Sequence, residues 1–260
     1  MEKLNEAQML EFIKLVNDLS GIDLMENKNT LLIKLTNFLK DKHFATFKDF
    51  LTRMQFDKTL KQEVIDLVTV NETYFYRELK QLKDSVFYIK SLNRPTKVLS
   101  APCSTGEEVY SFAILAAQNG IENLHLTGID ISADAINKAK HATYQGRTLN
   151  HLSEADKKHY FENEGNIYKI KKSQICHCHF ELCNVFEPKF LKLGKFDLIL
   201  SRNMMIYFDY ESKIKLMQRF HQITNAGARL YIGNSDLAPE NEYFSKVFAP
   251  LGGTYYLRND

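Results

Sequence analysis

The sequence predicts an α/β protein: a doubly wound parallel sheet with a small inserted β-subdomain, preceded by a small all-helical N-terminal domain. Three observations predict it. Residues 98–109 and 196–209 each read as a buried strand that breaks abruptly into polar residues, Ser104-Thr-Gly-Glu-Glu108 in one and Arg202-Asn203 in the other. Around them strand and helix periods alternate, the pattern of parallel βαβ winding. Before them, residues 1 to about 70 repeat a helical period with no strand between.

The elements follow in order. Met9, Phe12, Ile13, Val16 and Leu19 recur at helical spacing, and Gly21 is placed to stop that helix. Leu31, Leu35 and Leu39, then Phe47, Phe50, Leu51 and Met54, then Leu60, Val64, Leu67 and Val68 mark three more amphipathic helices. Residues 71–96 form a linker: the polar segment Asn71-Glu-Thr-Tyr-Phe-Tyr-Arg-Glu78, a helix to about Leu92, and the break Asn93-Arg-Pro-Thr96. The second domain, 97–260, opens with strands at 97–102 and 124–130 and helices at 106–118 and 133–141. Alternation lapses at about 144–183, where Ser153 starts a short helix and 167–170 and 175–180 look like short strands; this is the expected insert. The sheet resumes with a strand at 196–201, a helix at 211–223, a turn at Asn225-Ala-Gly227, and strands at 229–232 and 254–257.

Composition excludes several functions. The chain has 260 residues, 44% of them hydrophobic, enough for one sizeable core and a small accessory domain. Its 34 basic residues nearly balance 32 acidic ones, so charge gives no case for nucleic acid. No apolar run approaches the roughly 18 to 20 residues of a membrane span, and the start lacks the order of a signal peptide. A cytoplasmic protein without direct membrane insertion is expected. The four cysteines make no disulfide framework. Cys176-His-Cys-His179 is not read as a metal site: on a strand its cysteines and histidines point to opposite faces, and the spacing is not Cys-x2-Cys.

Ligands of open α/β sheets collect at the carboxyl ends of strands. A dinucleotide would want Gly-x-Gly-x-x-Gly there, but Gly106 is followed at once by Glu107 and Glu108, which repel phosphate. A nucleoside with positive charge and no phosphate fits better, and S-adenosylmethionine meets that description. Asp130, at the tip of the next strand, is placed to accept ribose hydroxyls, although it could also cap the helix beginning near Ser132.

The chain resembles the chemotaxis receptor methyltransferases of the CheR type. The residues that carry the resemblance are Gly21-Ile-Asp-Leu24, Asn71-x-Thr-x-Phe-x-Arg77, Ser104-Thr-Gly-Glu-Glu108, Gly128-Ile-Asp130, Arg202-Asn203 with Ile206-Tyr-Phe-Asp209, and Gly233-Asn-Ser235. The resemblance implies a class I methyltransferase sheet and methyl transfer from S-adenosylmethionine to glutamate carboxylates on chemoreceptor cytoplasmic helices, leaving S-adenosylhomocysteine. It implies cofactor contacts from Asn71, Thr73, Arg77, Glu107, Asp130, Asn184, Val185, Asn203 and Met204. Arg77 suits the methionyl carboxylate, Asn184 and Val185 the adenine, and Asn203 and Met204 the transferred methyl.

No general base is expected, because a glutamate with a reference pKa of about 4.3 is already ionised near neutral pH. Catalysis is positioning, to which Asn203 contributes. Tyr207 could orient the acceptor by a hydrogen bond, or simply pack the start of a helix with Ile206 and Phe208.

The departures from the family are Pro102, Val109 and Ser132, and a second helix bearing Lys28, Lys34, Lys40 and Lys42 where relatives tend to arginine. The insert is also short between Phe161 and Ile170, which suggests independence from a receptor C-terminal pentapeptide tether. Alternative readings are a class I methyltransferase for a small molecule or another protein, and a catalytically silent cofactor sensor.

Overall fold

The computed structural model describes residues 4–25, 28–249 and 253–260, and the chain divides into two compact units, Met1–Val70 with Tyr207–Ser212, and Asn71–Ile206 with Lys213–Asp260. The expected 71–96 linker therefore falls inside the second unit, and residues 207–212 fall in the first. A reading by contiguous sequence could give neither.

The first unit is helical. α1 (Glu6–Ser20) opens with a reciprocal cap, Gln8 N donating to Asn5 Oδ1 at 2.9 Å and Asn5 N to Gln8 Oε1 at 3.0 Å. Gly21 closes it at φ 75°, a left-handed turn that suits glycine. Thr46 and Asp57 cap α3 (Phe47–Phe56) and α4 (Lys58–Val68). Together with α2 (Lys28–Asp41) these helices converge on the fully buried Phe50, whose ring centroid lies 5.4 to 6.4 Å from those of Phe12, Phe38, Phe44 and Phe47. Two of the α2-side lysines are engaged within the unit, Lys34 donating to Leu67 O at 3.3 Å and Lys42 pairing with Glu63 at 2.6 Å.

The second unit begins with α5 (Leu79–Leu92), β1 (Thr96–Ser100), α6 (Glu107–Gln118), β2 (Leu124–Asp130) and α7 (Ala133–His141). Then come β3 (Thr143–Tyr144), α8 (Glu154–Tyr160), β4 (Phe161–Glu164), β5 (Ile167–Ile170) and β6 (Cys178–Leu182). β7 (Phe196–Ser201), α9 (Tyr210–Gln222, of which the residues from Lys213 on belong to this unit), β8 (Thr224–Ile232), β9 (Phe244–Phe248) and β10 (Thr254–Arg258) complete it. Seven strands form one sheet in the order β6-β2-β1-β7-β8-β10-β9, parallel from β6 to β8, with β10 antiparallel to its two neighbours. Successive strands wind outward in opposite directions from β1 and β7, so the topological switch point lies between those two. α6 is buried almost all round, with Tyr110, Phe112, Ala113 and Ile114 in the core beside β2 and β6.

Three expectations are corrected. The strand expected at 175–180 lies at 178–182 and belongs to the main sheet, parallel to β2; only β3, β5 and β4 form the inserted antiparallel sheet. Gly128 makes this possible. It pairs with Phe180, and a Cβ there would lie 2.9 Å from both Phe180 Cδ1 and Cys103 Cβ. The turn at 225–227 is an irregularity inside a longer β8, where pairing with β7 jumps from Thr224 to Arg229. β9 was not expected; it is an edge strand whose Phe248 is exposed, so it lacks the pattern of a buried element.

No helix among the described residues is long and apolar enough to cross a membrane. The close approach at Gly128 predicts that Gly128→Ala destabilises the second unit by about 1–3 kcal/mol, as a lower urea midpoint with an unchanged m-value.

Candidate active site

The carboxyl ends of β2 and β6 set the first part of the site. Asp130, 5% exposed, accepts from Ser104 N at 2.8 Å and Ser132 N at 2.9 Å, so it pins the loop after β1 to the loop after β2. Helix capping itself falls to Ser132, whose hydroxyl accepts from Ala135 N at 3.2 Å. Leu182 pairs with Asp130, and Cys183 N donates to Asp130 O at 2.9 Å, so Asn184 and Val185 emerge beside that acid. Asn184 Oδ1 accepts from Phe186 N at 2.9 Å, and the Arg219 guanidinium donates to the carbonyls of Val185 and Glu187. Sequence reasoning did not single out Arg219, which lies about 35 residues from the turn it fixes.

The segment 71–78 is held against the sheet by packing. The Phe75 ring stands edge-on to Tyr144 at 4.9 Å and to Phe161 at 5.4 Å, and Phe75 N donates to Thr148 O at 3.0 Å. Tyr76 N donates to Ser111 Oγ at 2.9 Å, and its phenol to Asp156 Oδ2 at 3.1 Å. Burial raises that phenol above its ordinary pKa, which keeps it a donor. Asn71 reaches the loops around Asp130 through Ser132 Oγ at 3.3 Å and, by its carbonyl, through Ser104 Oγ at 3.1 Å. Arg77 is half-buried and donates to Glu72 O at 3.0 Å; Thr73 is half-buried in the same segment.

The two adjacent glutamates, read from sequence as a pair facing a ligand, have different environments. Glu107 is 2% exposed and accepts from Thr105 Oγ1 at 2.6 Å; burial raises its carboxyl pKa against that bond and the Lys138 charge. Glu108 is committed inward. It accepts from Ser100 Oγ and from Arg202 Nη1, both at 2.8 Å, and burial raises its carboxyl despite the guanidinium. Arg202 also donates to Arg77 O at 2.5 Å and lies 3.4 Å from the Glu78 carboxylate, while its Nε is buried without a hydrogen-bond partner. Gly106 precedes this helix at φ 95°, and a Cβ there would meet Ala139 Cβ at 2.9 Å; packing against α7 accounts for the glycine.

After β7, Asn203 takes a left-handed backbone at φ 59° and Met204 is buried. Asp236 accepts from Asn203 N at 2.5 Å, Gly233 N at 2.8 Å and Ile206 N at 3.2 Å. It was not singled out in the sequence. Tyr207 belongs to the first unit, where its carbonyl accepts from Asp23 N at 2.8 Å. Among the described residues no group of three or more His, Cys, Asp or Glu could hold a metal ion.

The donor set suits S-adenosylmethionine. A rigid carboxylate at the tip of β2 matches a pair of hydroxyl donors, an amide at the end of β6 matches a base edge, and the positive end of α6 already carries the buried acid Glu107 where a phosphate would bind.

Residues 71–252 match the family described as CheR methyltransferase, SAM binding domain. The chain belongs to the CheR methyltransferase family. It is 55% identical over 253 residues to a chemotaxis protein methyltransferase of Campylobacter jejuni, covering 97% of this chain and 96% of that protein. A protein of the same description from Listeria monocytogenes is 30% identical over 242 residues, covering 89% of this chain and 90% of its own. That from Borreliella burgdorferi is 28% identical over 257 residues, 92% and 91% of the two chains. As a CheR-family member the chain is a methyltransferase that uses S-adenosylmethionine, built on the class I sheet expected from its sequence.

The Glu108–Arg202 pair predicts that Arg202→Leu lowers the unfolding free energy by about 3–5 kcal/mol, because a buried carboxylate is left without its partner. Urea unfolding of Arg202→Leu, Glu108→Leu and the double variant measures it, and the double variant should lose less than the sum of the two.

Proposed function

We propose that this enzyme methylates glutamate side chains on the cytoplasmic domain of chemoreceptors, acting in the cytoplasm as part of chemotactic adaptation. The observation that carries the reading is the gathering, at one edge of the sheet, of Asp130, Asn184 and Asn71 around the loop that precedes Glu107. The names of the relatives support chemotaxis as the setting.

When bound, S-adenosylmethionine supplies an electrophilic methyl on a sulfonium. Asp130 accepts the ribose hydroxyls, Asn184 and Val185 hold the adenine, and Arg77 answers the methionyl carboxylate, with Asn71, Thr73 and Glu107 completing the contacts. Asn203 and Met204 line the position of the transferred methyl. No residue need remove a proton, since the acceptor carboxylate is ionised at working pH. Alignment and exclusion of water can supply about 7–11 kcal/mol of the barrier reduction.

Labelled S-adenosylmethionine with a receptor cytoplasmic fragment should give base-labile methyl esters released as methanol. Asp130→Ala should cut cofactor affinity by about 10- to 100-fold, as expected for lost hydrogen bonds to a charged group. Binding of cofactor without receptor labelling would shift the reading to another acceptor.

The insert supports independence from a receptor C-terminal tether, its β4 and β5 being four residues each. Calorimetry with a receptor C-terminal pentapeptide should therefore detect no binding; measurable affinity overturns this part.

A further inference from the structure

We infer that Asp236 is a positioning residue for methyl transfer, holding Asn203 and Met204 in place through the backbone of their loop. The inference rests on the reading of residues 203–204 as cofactor contacts.

Asp236 lies just beyond β8 and is 5% exposed. Its Oδ2 accepts from Asn203 N at 2.5 Å and from Gly233 N at 2.8 Å, and its Oδ1 accepts from Ile206 N at 3.2 Å. One carboxylate thus collects N–H groups from the loop after β7 and from the loop after β8, and a carboxylate has about four acceptor sites for such a set. Converging amide dipoles repel one another unless an anion sits among them.

Asn203 depends on that restraint. Its φ of 59° is left-handed, a conformation that asparagine takes more readily than most side-chain-bearing residues and that the contacts around it hold in place here. Gly233 closes it from another direction: a Cβ there would stand 2.6 Å from Asn203 Nδ2 and 2.7 Å from its backbone nitrogen. Asn203 is therefore fitted between the carboxylate of Asp236 and the bare backbone of Gly233. Because the bonds to Asp236 come from the main chain, the acid sets where Asn203 and Met204 stand without needing to touch the cofactor.

Asp236→Asn keeps the shape but turns an NH2 toward amide donors; Asp236→Glu keeps the acceptor. The experiment compares wild type and both variants by calorimetry with S-adenosylhomocysteine and by steady-state methylation of a receptor fragment. Asp236→Asn should bind S-adenosylhomocysteine about 10- to 100-fold more weakly, the size expected for loss of a charge-assisted bond. Its KM for S-adenosylmethionine should rise in step while that for the receptor fragment does not, and Asp236→Glu should recover part of the loss. Wild-type affinity and turnover in Asp236→Asn would overturn the inference, as would equal rises in both KM values. A wild type that binds no S-adenosylhomocysteine would instead sink the cofactor reading on which it rests. If Asp236→Asn fails to fold, amide hydrogen exchange in the wild type decides: protection of Asn203 N–H comparable to that in β7 supports the brace, and exchange at the rate of an open loop overturns it.

Discussion

The carboxyl edge of the sheet depends on one buried ion pair, Glu108 with Arg202. It spans the switch point: Glu108 belongs to the helix after β1, Arg202 follows β7, and Ser100 Oγ at the end of β1 donates to Glu108. Taking both charges out of water costs several kcal/mol, and mutual attraction offsets this only when the remaining hydrogen-bonding groups find partners. Most do here, through Ser100, the Arg77 carbonyl and Glu78. The net contribution to stability of such a pair is small, whereas leaving either member alone costs a great deal. Its consequence is geometric: the 71–78 segment, the first turn of α6 and the start of the loop after β7 cannot shift independently.

The same edge is rich in negative charge. Glu107, Asp130 and Asp236 are all buried near strand ends, and Glu108 is neutralised inside the protein by Arg202. Burial raises the pKa of Glu107, Glu108 and Asp236, which is the electrostatic cost of placing acids there. A polyphosphate would add to that cost. A cationic nucleoside lowers it, so the property that excludes dinucleotides also favours a sulfonium.

The fold was legible where the local pattern sufficed. The four N-terminal helices followed from apolar spacing, and β1, β2 and β7 from short apolar runs ending in polar residues. β6 was harder, because a short strand with alternating exposure reads alike in an insert and at a sheet edge; the deciding contact, Phe180 over Gly128, joins residues far apart in sequence. Asp130 was legible as a strand-end residue, whereas Asn184 came only from the family resemblance, because the strand before it was expected to end at 180 in the insert. Asp236 and Arg219 were not legible, since both act on backbone groups of distant loops, and nothing in their own neighbourhoods announces those partners. The pairing of Glu107 with Glu108 misled for a related reason: adjacent helix positions point about 100° apart, and their destinations depend on the strands beneath.

Backbone conformation links these threads. Tyr76, Glu78, Ser104 and Asn203, all at the candidate site, have positive φ without being glycine. Each such residue costs of order 1–3 kcal/mol unless its surroundings impose it, and here the imposing contacts are identifiable. Ser104 is bound through its amide to Asp130, Asn203 through its amide to Asp236, and Tyr76 through its amide to Ser111. Glu78 lies beside Arg202 and accepts from Asn234 N. Three of these four residues are thus fixed by a carboxylate or by the buried guanidinium, so the charges that select the ligand also hold the main chain in its uncommon conformations. Reaction by alignment requires that coupling, because a loop free to relax to ordinary φ values would lose the geometry on which a transfer without a general base relies.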